Sequence, residues 1–140
     1  MSEASGGPLS ITIIGANTHD TKALKATLEA IIVERPLASE DAPQHLCLDK
    51  AYDNPTGHAT VAEFGYVGHI RRIGEEKLDD EGQKTYPARR WVVERTHAWL
   101  SKCRAILVRY DKKGNNYLGL LKLACALIWY RRHHHLALLR

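Results

Sequence analysis

Hydrophobic and polar positions follow two periods along the chain, and each period predicts a type of element. Apolar or β-branched runs predict strands, whereas apolar residues three and four positions apart predict helices. The pattern gives strand, helix, strand, helix, strand, helix and helix. In that order the elements span residues 8–14, 20–35, 45–49, 54–64, 66–73, 88–108 and 117–132. This order predicts one α/β domain with a largely parallel or mixed sheet flanked by helices.

Small and polar residues indicate where these elements begin and end. Asp20 or Thr21 is a suitable N-cap for the first helix. Pro55 suits the first position of the second helix, and Gly65 suits its C-terminal stop. Residues 1–7 are small and polar, so we expect them to be disordered. The last helix is apolar on most of its faces, which predicts that it is buried.

Charge is distributed unevenly along the chain. The net charge is +4, but residues 1–70 hold 4 Lys and Arg against 9 Asp and Glu, whereas residues 71–140 hold 16 against 7. A basic C-terminal half indicates a polyanionic partner such as nucleic acid. The longest apolar stretch is shorter than the about 20 residues that span a bilayer. The sequence therefore predicts a cytoplasmic, nucleoid-associated protein with no membrane partner.

Asp49 is the first candidate for chemistry. It follows the short apolar run at residues 45–48, and α/β sheets bind ligands at the carboxyl ends of their strands. With Lys50 and Asp53 beside it, its carboxylate could hold Mg²⁺ or Mn²⁺ through oxygen. The alternative is that Asp49 only begins a turn, because Asp is also a favoured turn residue.

Glu94 is the second candidate. It lies within the predicted helix at 88–108, among apolar neighbours and one turn after Arg90. The alternative is an ordinary surface ion pair between these two side chains, since residues four apart meet on a helix. From the residues alone, the surface pair is the simpler interpretation.

A third candidate is the set of basic residues in the C-terminal half. Lys and Arg spread along one surface bind nucleic acid, because each neutralised phosphate releases counterions. The alternative is a solvated helix face. The set comprises Arg71, Arg72, Arg89, Arg90, Arg95, Lys102, Arg104, Arg109, Lys112 and Lys113.

Short motifs recur in a fixed order from residue 8 to residue 132. They are PLSI at 8–11, GANTHD at 15–20, LDKAYD at 48–53, HIRR at 69–72, RRWVVERT at 89–96, AWL at 98–100, RYDK at 109–112 and NY at 116–117. Each motif is weak alone. As an ordered set they resemble the DDE-type transposases of bacterial insertion sequences, which have an RNase H-like catalytic domain.

The resemblance implies a function for several of these residues. It implies an RNase H-like mixed sheet and metal-dependent cleavage and transfer of DNA strands. Asp49 matches the second catalytic Asp and Glu94 the catalytic Glu, and both would bind Mg²⁺ or Mn²⁺. Tyr86, Arg90, Glu94 and Lys102 resemble a signature of the family, with three, three and seven residues between successive members. Residues implied to bind DNA are Arg71, Arg72, Arg90, Arg95 and Lys102.

Partners follow from the same resemblance. They are DNA, both element ends and target, together with an N-terminal transposase fragment and a second copy of the chain. The alternative functions are a non-catalytic DNA-binding remnant that inhibits or complements an intact transposase, and an RNase H-like nuclease unrelated to transposition.

The first catalytic Asp of the family has no direct counterpart in this chain. The resemblance places it just ahead of Gly6-Gly-Pro-Leu9, where Glu3 stands. Three interpretations are open: the longer Glu3 substitutes for Asp, the chain starts inside a larger reading frame, or Glu3 marks decay. On the second interpretation, residues 1–140 are the C-terminal part of the catalytic domain, with an incomplete first strand. Losing one of three carboxylates would impair the activity.

Overall fold

The computed structural model describes residues 1–36, 38–70 and 90–134. Its regular elements are five α-helices and two strands within that part of the chain. They are α1 (Leu24–Glu29), β1 (Gln44–Leu48), α2 (Pro55–Glu63), β2 (Tyr66–Ile70), α3 (Arg90–Ser101), α4 (Arg104–Leu107) and α5 (Gly114–His133). The strand–helix–strand order agrees with the predicted α/β class. None of the helices described has both the length and the apolar character that a membrane span requires.

The described residues form two compact units. The first unit holds residues 1–17, 26–33 and 90–134, and the second holds 18–25 and the described residues between 34 and 70. The first is built on α3, α4 and α5, whereas the second is built on the two strands and α2.

A parallel strand pair organises the second unit. β1 and β2 pair in parallel with Leu46 opposite Gly68, and α2 makes the connection between them, as parallel pairing requires. Leu46 and Val61 are buried. A Cβ built on Gly68 would lie 3.1 Å from Cγ1 of Val61, so glycine allows α2 to approach β2 closely. The side chain of Asn54 accepts from the amide of Gly57 and caps α2 at the predicted start.

An N-terminal hairpin, residues 1–10, is held on the helices of the first unit. Its backbone closes through Glu3 N–H to Gly7 O (2.8 Å) and Leu9 N–H to Met1 O (3.0 Å). The indole of Trp129 on α5 donates to the carbonyl of Pro8 at 2.7 Å. The expectation that residues 1–7 are disordered therefore differs from the structure, because these small residues find hydrogen-bond partners on the helices.

The buried hydroxyl of Thr96 joins the hairpin to α3. It donates to the carbonyl of Gly6 at 2.7 Å. Because the Thr96 hydroxyl uses its proton in that bond, its oxygen accepts a hydrogen bond from the hydroxyl of Ser2 at 2.8 Å. Gly6 has φ +91°, a left-handed conformation that favours glycine. Thr96 is thus satisfied although its side chain is removed from water.

The helices of the first unit differ from the prediction in two ways. One helix was predicted over 88–108, but α3 ends at Ser101 and α4 begins only at Arg104. The break falls at Lys102 and Cys103, and residues 88 and 89 lie outside the described residues. α5 was predicted to be buried on most faces, yet only Ala124 and Ile128 are buried along it. Large apolar side chains that remain exposed on α5 are Leu123, Leu127, Trp129 and Tyr130.

Two further predicted elements near the N-terminus are wrong. Residues 8–14 were predicted as a strand, but they form only an isolated bridge between Ser2 and Pro8. A β-branched run needs a neighbouring strand to pair with, and among the described residues this run is bridged only at Pro8. The helix predicted over 20–35 consists of a 3₁₀ turn from Asp20, capped by His19, and the short α1. Ile32, which lies within the range predicted for that helix, is 90% exposed.

Two glycine substitutions test how the hairpin packs on α5. A Cβ on Gly7 would lie 2.7 Å from Cη2 of Trp129, closer than atoms can approach. We expect Gly7→Ala to lower the free energy of unfolding by about 1–3 kcal/mol, measured by urea denaturation.

Gly119 provides the matched control. It lies on α5 with no atom within 4 Å of its Cβ position. Gly119→Ala should therefore raise the stability by about 0.5–1 kcal/mol, because alanine loses less backbone entropy in a helix. A Gly7→Ala protein as stable as the original would contradict the close packing described above.

Candidate functional site

Asp49 lies immediately beyond the carboxyl end of β1. It is the N-terminal cap residue of a 3₁₀ turn at Lys50–Tyr52, but its side chain makes no capping hydrogen bond. The residue is exposed. Its carboxylate is thus presented to solvent at the end of a parallel strand, where a divalent ion could approach.

The neighbouring carboxylate of Asp53 has a different environment. Its Oδ1 lies 3.0 Å from Nε2 of His58 on α2. This contact ties the turn after β1 to the helix that follows it. Asp53 is close to Asp49 in the sequence, and in the structure it contacts His58.

Glu94 lies in the middle of α3, in the first unit, and is exposed. On the same helix, Val92 and Thr96 are buried, so the face that carries Glu94 is directed away from the core. Asp49 belongs to the second unit and Glu94 to the first. Each is therefore placed within its own unit, on an exposed surface.

The structure describes only some of the predicted DNA-binding residues. Arg71 and Arg72 lie outside the described residues, and Arg90 is placed only as the first residue of α3. Lys102 is exposed just after α3. Arg95 is exposed, and its guanidinium carbon lies 4.4 Å from the centroid of the Trp91 ring, a cation–π contact.

Glu3 occupies the position at which the resemblance places the first catalytic Asp. Its carboxylate accepts from the amides of Ser5 (2.7 Å) and Gly7 (2.8 Å) and from the Ser5 hydroxyl. Arg132 on α5 approaches it at 3.3 Å. The carboxylate therefore caps its own turn and anchors the hairpin on α5.

These contacts set the protonation of Glu3. Burial by itself would raise the pKa of the Glu3 carboxyl. The hydrogen bonds from Ser5 and Gly7 and the charge of Arg132 outweigh burial, so the pKa lies below its ordinary value. Glu3 is accordingly held ionised by the protein itself.

Arg132 was missed by the sequence analysis. It lies three residues after Trp129, and its Nη1 donates to the carbonyl of Ser5 at 3.0 Å. The spacing places Arg132 and Trp129 on one face of α5, but nothing in the sequence indicates that residues 3–5 meet that face. The contact is separated by more than 120 positions along the chain, beyond what local patterns reveal.

A site for a divalent ion needs several oxygen, nitrogen or sulfur donors close together. Among the described residues, no group of three or more His, Cys, Asp or Glu side chains comes together as a metal site. Asp49 and Glu94 are exposed carboxylates, the oxygen donors that Mg²⁺ prefers, and so suit such an ion individually. Glu3 does not suit it, because its oxygens already accept hydrogen bonds from Ser5 and Gly7 and lie against Arg132.

Comparisons with known proteins agree with the motifs. A family model described as a transposase DDE domain matches residues 1–129. A putative transposase for insertion sequence element IS402 from Burkholderia cepacia is 31% identical over 130 residues, which is 91% of this chain and 59% of that protein. The chain thus spans about three-fifths of that relative's length. No solved structure matches it.

The anchoring role of Glu3 predicts a pH dependence of stability. Because its pKa is lower in the folded protein than the ordinary 4.5, the Glu3 contribution is fully present above that value. It is lost as the pH falls through the folded-state pKa. We expect Glu3→Gln to lower the free energy of unfolding at pH 7 by about 1–3 kcal/mol and to weaken its fall between pH 5 and lower pH, as followed by urea denaturation.

Glu63→Gln is the control for this measurement. Glu63 pairs with Lys25 at 2.7 Å, but both side chains are about half exposed, and such pairs contribute at most about 1 kcal/mol. Equal losses of stability in the two variants would contradict the anchoring role of Glu3.

Proposed function

This chain belongs to the family of transposase DDE domains, and we propose that it acts in DNA transposition by metal-dependent phosphoryl transfer at the ends of an insertion sequence. The observation that carries the proposal is the family match over residues 1–129 together with the exposed Asp49 at the end of β1. An RNase H-like sheet, with β1 and β2 as two of its parallel strands, is part of the same proposal.

Asp49 and Glu94 are the residues that we propose to bind Mg²⁺ or Mn²⁺. Such an ion, when bound, stabilises the charge that develops on the oxygens of a reacting phosphate. Both side chains are exposed, so an ion in solution could reach each of them. Without a bound cation, the negative charges of these carboxylates would repel the phosphates of DNA.

Arg90, Arg95 and Lys102 are proposed to position the DNA, and Arg71 and Arg72 are proposed with them. Residues 90–134 carry ten Lys and Arg against two Asp and Glu. This excess of positive charge favours binding to phosphates. The affinity for DNA should therefore be highest at low salt and fall as the salt concentration rises. DNA is thus the proposed partner, and residues 90–134 are proposed to supply most of the positive charge that binds it.

We further propose that cleavage by this chain is impaired. The carboxylate of Glu3 is engaged by Ser5, Gly7 and Arg132. Two carboxylates, rather than three, then remain for the divalent ions. The same contacts support the second candidate function, a DNA-binding protein without catalysis that inhibits or complements an intact transposase.

A cleavage assay distinguishes the two functions. The substrate is duplex DNA carrying the sequences that flank the reading frame, with Mg²⁺ or Mn²⁺ present. We expect slow, metal-dependent nicking. Asp49→Asn and Glu94→Gln should each reduce it on the order of a hundredfold or more, because a ligand to the metal contributes several kcal/mol in the transition state. Duplex affinity, measured in the same samples, should change by less than about twofold.

Glu63→Gln, another exposed glutamate on a helix, is the matched control and should cleave as the original chain does. Binding without cleavage, unaffected by Mg²⁺ or by Asp49→Asn, would favour the non-catalytic function. Efficient cleavage that Glu3→Ala leaves unchanged would contradict the proposed impairment.

A further inference from the structure

The three tryptophans of the chain and two arginines form one continuous stack in the first unit, here called the Trp–Arg ladder. The guanidinium carbon of Arg95 lies 4.4 Å from the Trp91 ring centroid and 5.9 Å from that of Trp99. Arg132 lies 5.2 Å from Trp99 and 5.3 Å from Trp129. Rings and cations thus alternate from Trp91 on α3 to Trp129 on α5.

Helix geometry explains why the ladder is continuous. Trp91, Arg95 and Trp99 are spaced four residues apart, which places them in a row along α3. Arg132 and Trp129, three apart on α5, continue that row. The hairpin lies against the middle of the ladder, because a Cβ on Gly6 would lie 3.2 Å from Cδ of Arg95 and 3.4 Å from Cζ3 of Trp99.

The outer end of the ladder is open to solvent. Trp91 is 46% exposed and Arg95 is exposed. Among the residues that the structure describes, no carboxylate forms an ion pair with Arg95. Arg95 lies over the Trp91 ring on one side, which leaves the exposed part of the ring for another flat partner.

The chemistry of this end selects a class of partner. A large exposed ring beside a positive charge binds groups that are both flat and anionic, and a nucleotide supplies a base and a phosphate in one unit. The faces of the bases in a duplex are covered by stacking on each other, whereas those of an unpaired strand are free. The ten Lys and Arg of residues 90–134 would attract either form.

We propose that the outer end of the Trp–Arg ladder, Trp91 with Arg95, is a stacking site for an unpaired base of single-stranded DNA. The inference rests on the proposed function, since it takes DNA as the substrate. It goes beyond that function by naming the form of DNA that this surface binds. Glu3 and Ser5 contact Arg132, and Arg132 stacks on Trp99. Trp99 in turn contacts Arg95, so these contacts hold Arg95 and Trp91 in place.

Titration of the full chain with two probes tests the proposal. One probe is an oligo-dT strand and the other is a duplex of the same length, and binding is followed by tryptophan fluorescence and by anisotropy of labelled DNA. Trp91→Ala should weaken oligo-dT binding about fivefold or more, the loss typical of one base stack. Its duplex affinity should change less than about twofold. In the Trp91→Ala protein, the slope of the logarithm of oligo-dT affinity against the logarithm of salt concentration should stay unchanged, because stacking of a base on Trp91 releases no counterions.

Two further variants control for folding and for the loss of any aromatic residue. Trp91→Phe keeps a flat ring and should recover most of the oligo-dT affinity. Tyr110→Ala removes a side chain that is 86% exposed in the same basic region but outside the ladder, and it should bind as the original chain does. Circular dichroism checks that each variant is folded.

The outcomes separate this inference from the proposed function. If duplex DNA is bound but Trp91→Ala leaves oligo-dT binding unchanged, the stacking site is refuted and the proposed function stands. If Trp91→Ala, Trp91→Phe and Tyr110→Ala weaken binding equally, the site is also refuted. If the original chain binds neither probe, the proposed function fails and the inference fails with it.

Discussion

The attachment of the N-terminal hairpin to α3 and α5 is the constraint on which the first unit depends. Thr96 is buried on α3, and Gly6 and Ser2 both bond to its hydroxyl. A buried hydroxyl without partners costs about 1–3 kcal/mol, so the hairpin and the helix stabilise each other. The indole of Trp129 and the guanidinium of Arg132 make the corresponding contacts on α5.

This constraint also determines which carboxylates are available for chemistry. Ser5, Gly7 and Arg132 contact the carboxylate of Glu3. The charge of Glu3 therefore stabilises the hairpin on α5. Asp49 and Glu94 stay exposed on their own units. The contacts of Glu3 therefore fit it to hold a guanidinium rather than a metal ion.

The Trp–Arg ladder links the hairpin to a surface that faces solvent. Arg132 contacts Glu3 at one side and the Trp99 and Trp129 rings at another. Flat rings and guanidinium groups lose little freedom when they stack, because each is rigid and planar. A hairpin that anchors Arg132 therefore also stabilises the orientation of the rings next to it.

The sequence by itself determined the elements whose signals are local. β1, α2 and β2 lie where the apolar runs, Asn54 and Gly65 predicted them, because caps and positive φ act over a few residues. α5 was also found from its own pattern, and the ordered motifs gave the family. Asp49 at the end of β1 and Glu94 within α3 follow from the same local reading.

Tertiary structure decided what depends on distant partners. The run at 8–14 has strand propensity, but it forms no strand, because among the described residues it is bridged only through Pro8 to Ser2. α3 stops at Ser101 and much of α5 stays exposed, which a helical period cannot show. The pairing of Glu3 with Arg132 joins residues 129 positions apart. No local pattern encodes such a contact, since it is selected by packing after both elements have formed.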